Sequence, residues 1–311
     1  MRAALLQADG TVRRGEVEVP DAGAEAVAVE VTAAGLNPID LITAAAEAGD
    51  GATPVVGGRE GVGLLDGRRH YFGSTVRPSG SLGEVAAVAR ERLVELPDGV
   101  DDALAIALGV AGQAAWLGLE WRARLQPGEH VLVLGAGGSV GLLGVQVARL
   151  LGAGRVVAGA RSAAGLERAR ELGADAVVDL SGDDVPAIAE RIGAAAAGRV
   201  DVVLDALWGL PALAALGAAS PGVRVVQLGS AADGAVPFNP APLRGRLVDL
   251  LAFSSSSVPV DARLDAYRRS LGHAVRGELT APARELPFDQ VEAAWEEQRR
   301  GPGAKLVVRL R

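Results

Sequence analysis

The chain contains no cysteine, which removes disulfides, thiolate nucleophiles, iron–sulfur clusters and every cysteine-ligated zinc site at once. Histidine is nearly as scarce. His70, His130 and His273 are widely separated, so an all-histidine metal site needs the fold to gather them, and no metal is expected. Positive charge is in deficit: 31 Lys+Arg against 38 Asp+Glu give a formal charge of −7. With no dense basic block anywhere, nucleic acid and anionic membrane surfaces are disfavoured as partners. Lysine is reduced to Lys305, the other basic residues being arginine. Beside the abundance of Ala and Gly this reads as coding bias, and no function is attached to it. No apolar run reaches the length that spans a bilayer. The opening Met1-Arg2-Ala3-Ala4-Leu5-Leu6-Gln7 reads as a strand entering a polar turn, without the features of a signal peptide. The expectation is a cytoplasmic, soluble protein with a small-molecule partner.

What is present fits two domains. The 311 residues are about twice the ~150 that serve as a soft prior for one domain. A composition 49% hydrophobic and 22% charged is that of a globular chain. Residues 1–107 carry short strand patterns, at 17–19, 26–31, 61–65 and 84–88, punctuated by Gly and Pro, which predicts a β-rich, barrel-like domain. A helical pattern covers 103–119. From His130 onward apolar strands at 130–134, 155–159, 176–180, 200–204, 223–228 and 247–253 alternate with helices such as 139–151, 164–172, 185–197 and 210–218. Nearly continuous apolar strands separated by helices predict an α/β domain with a doubly wound parallel sheet. The tail returns to mixed structure, with helices near 261–275 and 288–299 and strands near 281–286 and 305–310. It is expected to rejoin the first domain, giving a substrate domain of 1–107 and 258–311 around a dinucleotide-binding domain of 108–257.

The most informative segment is Val131-Leu132-Val133-Leu134-Gly135-Ala136-Gly137-Gly138-Ser139-Val140-Gly141, a buried strand running into glycines and then a helix. Glycines there permit the tight turn and the approach of backbone to a pyrophosphate, which the helix N-terminus holds. The commonest G-x-G-x-x-G spacing is not met, because position 140 is Val; Gly135, Gly138 and Gly141 give G-x-x-G-x-x-G instead. Gly135, Gly138, Ser139, Val140 and Gly141 are the phosphate-binding candidates, and a ligand-free βα turn is the bland alternative. About 20 residues further on, an acid at the end of the second strand binds the ribose 2′-hydroxyl of NAD in this fold. Here that strand leads into Ala160-Arg161-Ser162 with no carboxylate. A guanidinium and a hydroxyl favour a 2′-phosphate, so NADPH is the expected cofactor, held by Arg161 and Ser162; a solvated Arg161 is the alternative. Leu228-Gly229, ending the fifth strand, are candidates for lining the nicotinamide pocket, and Trp208 for walling the cleft. Core packing is the default for each tryptophan.

Gly35-Leu36-Asn37-Pro38-Ile39-Asp40, Gly57-Gly58-Arg59-Glu60-Gly61-Val62-Gly63, the glycine loop, Glu171-Leu172-Gly173-Ala174-Asp175 and Gly303-Ala304-Lys305-Leu306-Val307 together resemble the medium-chain dehydrogenase/reductase superfamily over essentially the whole chain. The likeness is to its zinc-free quinone oxidoreductase branch. The resemblance implies a Rossmann domain with a GroES-like catalytic domain, a homodimer paired through the strand at 247–253, and a quinone or enone substrate. Where zinc enzymes of the superfamily place Cys and His ligands, this chain offers Asn37 and Arg59, and their relay hydroxyl falls at Ile39. A Tyr and a Thr common in the quinone reductases are replaced by Ile42 and Ala114.

Hydride addition to an enone or quinone leaves an oxyanion that needs hydrogen-bond donors. The candidates on the first domain are Asn37, Tyr71 and Arg59. Each has a structural alternative: a turn Asn before Pro38, a packed strand Tyr, an arginine that touches no substrate. Asp40 is read as the cap of a helix at 41–47, and His70 as a surface residue. Two other functions stay open: an enoyl reductase dedicated to one biosynthetic intermediate, and a protein that binds NADPH without turnover.

Overall fold

The structure, a computed structural model, describes residues 1–49, 53–182, 184–237 and 239–311. Residues 1–111 with 260–311 form one compact unit and residues 112–259 a second; the sequence-based expectation puts these boundaries at 107/108 and 257/258.

In the first unit β1 (Arg2–Leu6) and β2 (Val12–Glu16) form an antiparallel pair. The strand expected at 17–19 does not form: pairing ends at Glu16, and Val19 is exposed. β3 (Ala26–Gly35) runs into α1 (Pro38–Ala48). This helix starts before the expected 41–47, because Asn37 takes the extended N-cap conformation and Pro38 supplies a preset φ at the first helical position. Asp40 therefore lies inside the first turn, where its carboxylate accepts the Asn37 backbone N–H at 2.8 Å. β4 (Glu60–Leu65) and β5 (Arg68–Phe72) form a hairpin whose Asp66-Gly67 turn has positive φ at both residues, the conformation that matches strand twist. β6 (Val85–Ala89) pairs with β3, and β7 (Leu93–Glu95) with β5. The helix expected over 103–119 is broken at Gly109 into α2 (Asp102–Leu108) and α3 (Val110–Leu117), followed by a π-helical turn at Gly118–Arg122. By length and composition Asp102–Arg122 is apolar enough to cross a membrane, against the expectation that no such run exists; 78% of its most apolar window is buried inside the protein. Trp121, near its end, is 45% exposed and so departs from the core-packing default.

The second unit is a parallel six-stranded sheet. Its strands are β8 (His130–Leu134), β9 (Arg155–Ala160), β10 (Ala176–Asp179), β11 (Val202–Asp205), β12 (Arg224–Gln227) and β13 (Asp249–Ala252). Between them come α4 (Ser139–Leu150), α5 (Ala163–Glu171), α6 (Val185–Ala195), α7 (Gly209–Ala218) and α8 (Ala241–Arg246). The spatial order β10-β9-β8-β11-β12-β13 is that of the dinucleotide-binding fold, with its switch point between β8 and β11. Leu132, Leu134, Val157, Val203 and Val225 fill one face with Ile188 and Ile192 of α6. β13 is an edge strand, with Leu250 44% exposed and the preceding Leu247 74% exposed.

The chain then returns to the first unit. α9 (Val260–Val275), β14 (Ala283–Pro287), α10 (Val291–Arg300) and β15 (Lys305–Arg309) complete it. β15 inserts beside β3, giving the order β14-β15-β3-β4-β5-β7 with β6 also on β3. Trp295 is buried in this core and donates its indole N–H to Gly10 O at 3.1 Å.

Candidate active site

The loop after β8 is shaped by its backbone. Gly135 has φ +86°, a region closed to most residues with a Cβ, and its N–H and that of Ala136 both donate to Gly159 O at 2.9 and 3.0 Å. A Cβ on Gly141 falls 2.6 Å from Ala136 Cα, so the turn and the helix close on each other only with glycine there. Gly137 and Gly138 differ: the nearest protein atoms to a Cβ lie at 3.6 and 3.7 Å. The protein leaves room at these two positions. α4 starts on Gly138 without a side-chain cap, and its first intrahelical donor is Leu142, to Gly138 O at 2.9 Å. The amides of Ser139, Val140 and Gly141 are thus the open donors of a helix N-terminus. Open amides and an unfilled glycine surface suit a diphosphate, and these residues fit the nucleotide that the fold implies.

Around this loop the other nucleotide candidates gather. Ser162 caps α5 by accepting the Gly165 N–H at 3.1 Å, which leaves its hydroxyl hydrogen available. Arg161 is exposed and has no protein acceptor among the described residues. The carboxylate nearest in register to Ala160 is Asp179. It is turned onto the Ser181 N–H at 2.8 Å, and that turn lowers its pKa. At the switch point the fully buried Asp205 accepts from the N–H groups of Leu207 and Trp208 at 2.8 and 2.9 Å, its other oxygen having no partner among the described residues. Burial raises its pKa against those two bonds. Trp208 itself has φ +56° and is half-buried. Leu228 donates its N–H to Asp205 O at 2.9 Å. A Cβ on Gly229 falls 2.8 Å from Ala206 O, so this turn lies flat against the one after β11.

In the first unit a buried polar cluster replaces the separate candidates read from the sequence. Glu60, fully buried at the start of β4, accepts four hydrogen bonds. Asn37 Nδ2 (2.7 Å) and the Lys305 ammonium donate to Oε1, and the Tyr71 hydroxyl (2.9 Å) and the Val110 N–H (2.8 Å) to Oε2. Lys305 also donates to Asn37 Oδ1 at 2.6 Å. At the helix break the Val110 N–H donates to Glu60 instead of to its own helix, and Gly109 beside it has no room for a Cβ, which falls 2.6 Å from a Tyr71 ring carbon. Tyr71 stacks on Tyr267 with centroids 4.2 Å apart, and burial pushes both phenols well above their usual range.

The structure brings two of the three donor candidates, Asn37 and Tyr71, into this cluster, with the Tyr71 hydroxyl hydrogen spent on Glu60. Arg59 stands beside it, paired to Glu47, donating to Thr43 Oγ1 at 2.7 Å and 3.7 Å from Asp40. Asp40 is buried, and desolvation pushes its pKa up to about 6, against the Asn37 N–H bond and the Lys305 charge. His70 is half-buried on β5. Ile39 and Ile42 on α1 are 39% and 75% exposed. Glu60, Lys305 and Tyr267 were not singled out from sequence. Two signals mark the first two, a carboxylate opening an otherwise apolar Gly/Val strand and one lysine in a chain whose other cationic side chains are arginine; Tyr267 carries none. Among the described residues no group of three or more His, Asp or Glu side chains is arranged to hold a metal ion.

The profile of a family described as zinc-binding dehydrogenase matches residues 139–263. The quinone oxidoreductase of Thermus thermophilus, solved also in complex with NADPH, is 32% identical, with both chains covered completely and a TM-score of 0.83. A phenolphthiocerol/phthiocerol polyketide synthase of Mycobacterium tuberculosis is 34% identical over 216 residues, 65% of this chain and 10% of that protein. The 2-methylene-furan-3-one reductase of Solanum lycopersicum is 32% identical over 211 residues, 61% of this chain and 52% of that one. The chain thus spans a tenth of the first of these curated relatives and about half of the second.

Proposed function

Because the chain belongs to the medium-chain dehydrogenase/reductase superfamily, on its quinone oxidoreductase-like branch, we propose that it is an NADPH-dependent, metal-independent reductase of a quinone or α,β-unsaturated carbonyl. The observation that carries this reading is the loop 135–141, where the fold requires glycine at Gly135 and Gly141 and leaves Gly137 and Gly138 clear for a ligand. Arg161 and Ser162 support NADPH over NADH: one offers a cation without a protein acceptor among the described residues, the other a free hydroxyl hydrogen, while Asp179 is held by Ser181. Metal independence is supported by donor chemistry, since the positions of the superfamily's zinc ligands hold Asn37, an amide, and Arg59, a cation.

A bound nicotinamide supplies the hydride. The chain's own residues bind, orient and stabilise. Ser139, Val140 and Gly141 present amides to the diphosphate, and Leu228 and Gly229 line the nicotinamide end. Ile39 and Ile42 offer apolar surface to a ring or alkene. As the acceptor oxygen gains charge, Asn37 Nδ2 donates to it; one of its two hydrogens is taken by Glu60 and the other has no protein acceptor among the described residues. Arg59, balanced by Glu47 and Asp40, is a weak anion clamp. A dedicated enoyl reductase is the second reading, favoured by Ile42 at the position of the quinone reductases' Tyr and by the polyketide synthase relative. The exposed edge of β13 with Leu247 and Leu250 fits pairing with a second copy about a two-fold axis, and a cytoplasmic location accompanies this reading.

Steady-state oxidation of NADPH with a panel of simple quinones, enones and enals tests the proposal. Turnover faster with NADPH than with NADH and unchanged by chelator is expected. Tight NADPH binding with no acceptor accelerating its oxidation overturns it in favour of a binding protein, and loss of activity on metal removal overturns the metal-independent assignment.

A further inference from the structure

Lys305 is 2% exposed in a chain whose other bases are all arginine and mostly reach solvent. Its Nζ meets Asn37 Oδ1 at 2.6 Å and Glu60 Oε1, while Glu60 Oε1 also accepts from Asn37 Nδ2 at 2.7 Å. An ammonium has only donors and a carboxylate only acceptors. The Asn37 oxygen must therefore face Lys305 and its nitrogen must face Glu60, so the amide has one permitted orientation where an isolated asparagine has two. Glu60 does not swing away to release it, because Tyr71 and the Val110 N–H hold the second carboxylate oxygen. Gly35 makes the room that the lysine and its carboxylate occupy. A Cβ on Gly35 falls 2.9 Å from Lys305 Cε and 2.8 Å from Glu60 Oε1.

We propose that Lys305 is a positioning residue: with Glu60 it locks the Asn37 amide so that the one Nδ2 hydrogen left over is presented to the substrate oxygen. This rests on the reading of Asn37 as the oxyanion donor. Without the ammonium Oδ1 loses its partner and the amide is tethered through Nδ2 alone, so the remaining Nδ2 hydrogen is no longer held on the substrate oxygen as negative charge develops there. The effect falls on the chemical step and leaves nucleotide binding alone.

The test is a double-mutant cycle of Asn37→Ala and Lys305→Met, with kcat and KM for a quinone or enone, the NADPH Kd from fluorescence, and the Asn37 side-chain amide resonances in 15N-labelled protein, identified by their loss in Asn37→Ala. Each single variant is expected to lower kcat about tenfold or more with the NADPH Kd held within about twofold, and the double variant to be no slower than the worse single one. The Asn37 amide pair is expected to shift in Lys305→Met. Factors that multiply in the double variant, or a kcat untouched by Lys305→Met, overturn the coupling. Unchanged Asn37 resonances in Lys305→Met overturn the lock itself, and that readout needs no substrate; a wild-type protein without turnover refutes the proposed reaction instead. If Lys305→Met does not fold, Lys305→Met/Glu60→Gln, which removes the pair of charges together, serves in its place with the same expected and overturning results.

Discussion

The loop after β8 offers open backbone amides, whereas the cluster around Glu60 is built from side chains, and the two are written into the chain differently. The loop occupies seven consecutive residues, with Gly135 required by a torsion and Gly141 by a contact within the same turn. The cluster joins Asn37, Glu60, Tyr71, Val110 and Lys305, with Lys305 and Asn37 separated by 268 positions. A backbone site survives side-chain substitution and fails on a Cβ. A side-chain cluster inverts that sensitivity, since each member satisfies another buried polar group, and losing one leaves the rest exposed to the cost of desolvation.

The widest separation between the two is expected from Glu60→Ala, which strands the Lys305 ammonium and should cost about 3–5 kcal/mol in urea unfolding. A loss under about 1 kcal/mol breaks the comparison by showing the cluster to be loosely held. Asp40→Asn comes next. The native state keeps the Asp40 proton up to about 6, whereas the unfolded chain loses it near 3.8. Between these values the native state binds more protons, so wild-type stability falls as pH rises through that window. Asn removes this term, so the variant should gain on the wild type by about 3 kcal/mol between pH 3.5 and pH 8, as unfolding curves at the two ends would register. An offset that does not change with pH would place Asp40 in contact with solvent.

In the second unit the expected effects are smaller and fall on binding. Arg161→Ala should weaken NADPH by about 1.5–3 kcal/mol, the scale of a charged hydrogen bond, and leave NADH nearly unchanged; equal losses by titration would remove Arg161 from the 2′-phosphate. The sharpest contrast lies within the loop. Gly141→Ala should cost about 1–3 kcal/mol of stability through overpacking. Gly138→Ala should stay within about 1 kcal/mol in stability yet lower NADPH affinity about tenfold, roughly 1.4 kcal/mol. Thermal unfolding and fluorescence titration of both variants separate them, and matched behaviour would mean that the protein, and not a ligand, demands glycine at 138.

Legibility follows the same division. The six strands of the parallel sheet stand out in sequence because burial on both faces makes most of them apolar throughout, and the break into Gly135 marks the turn. The start of α1 is shifted because Pro38 and the extended Asn37 act as a cap ahead of the apolar pattern. The interruption at Gly109 has only a weak local signal, a single glycine in a helical pattern; that the Val110 N–H finds Glu60 and that a ring and a carboxylate crowd Gly109 is decided by β4 and β5. Lys305 was visible as an oddity of composition, yet nothing near it in the chain tells what an ammonium beside β3 would meet.

Periodicity and turn chemistry act between residues a few positions apart, so the amino-acid order alone determined the alternation of strands and helices, the glycine loop and the cofactor class it implies. Which polar groups share one buried volume depends on strand order, since β15 enters beside β3 and brings Lys305 to Glu60 and Asn37. That choice belongs to the tertiary structure, because a charge can leave water only where the fold delivers its partners.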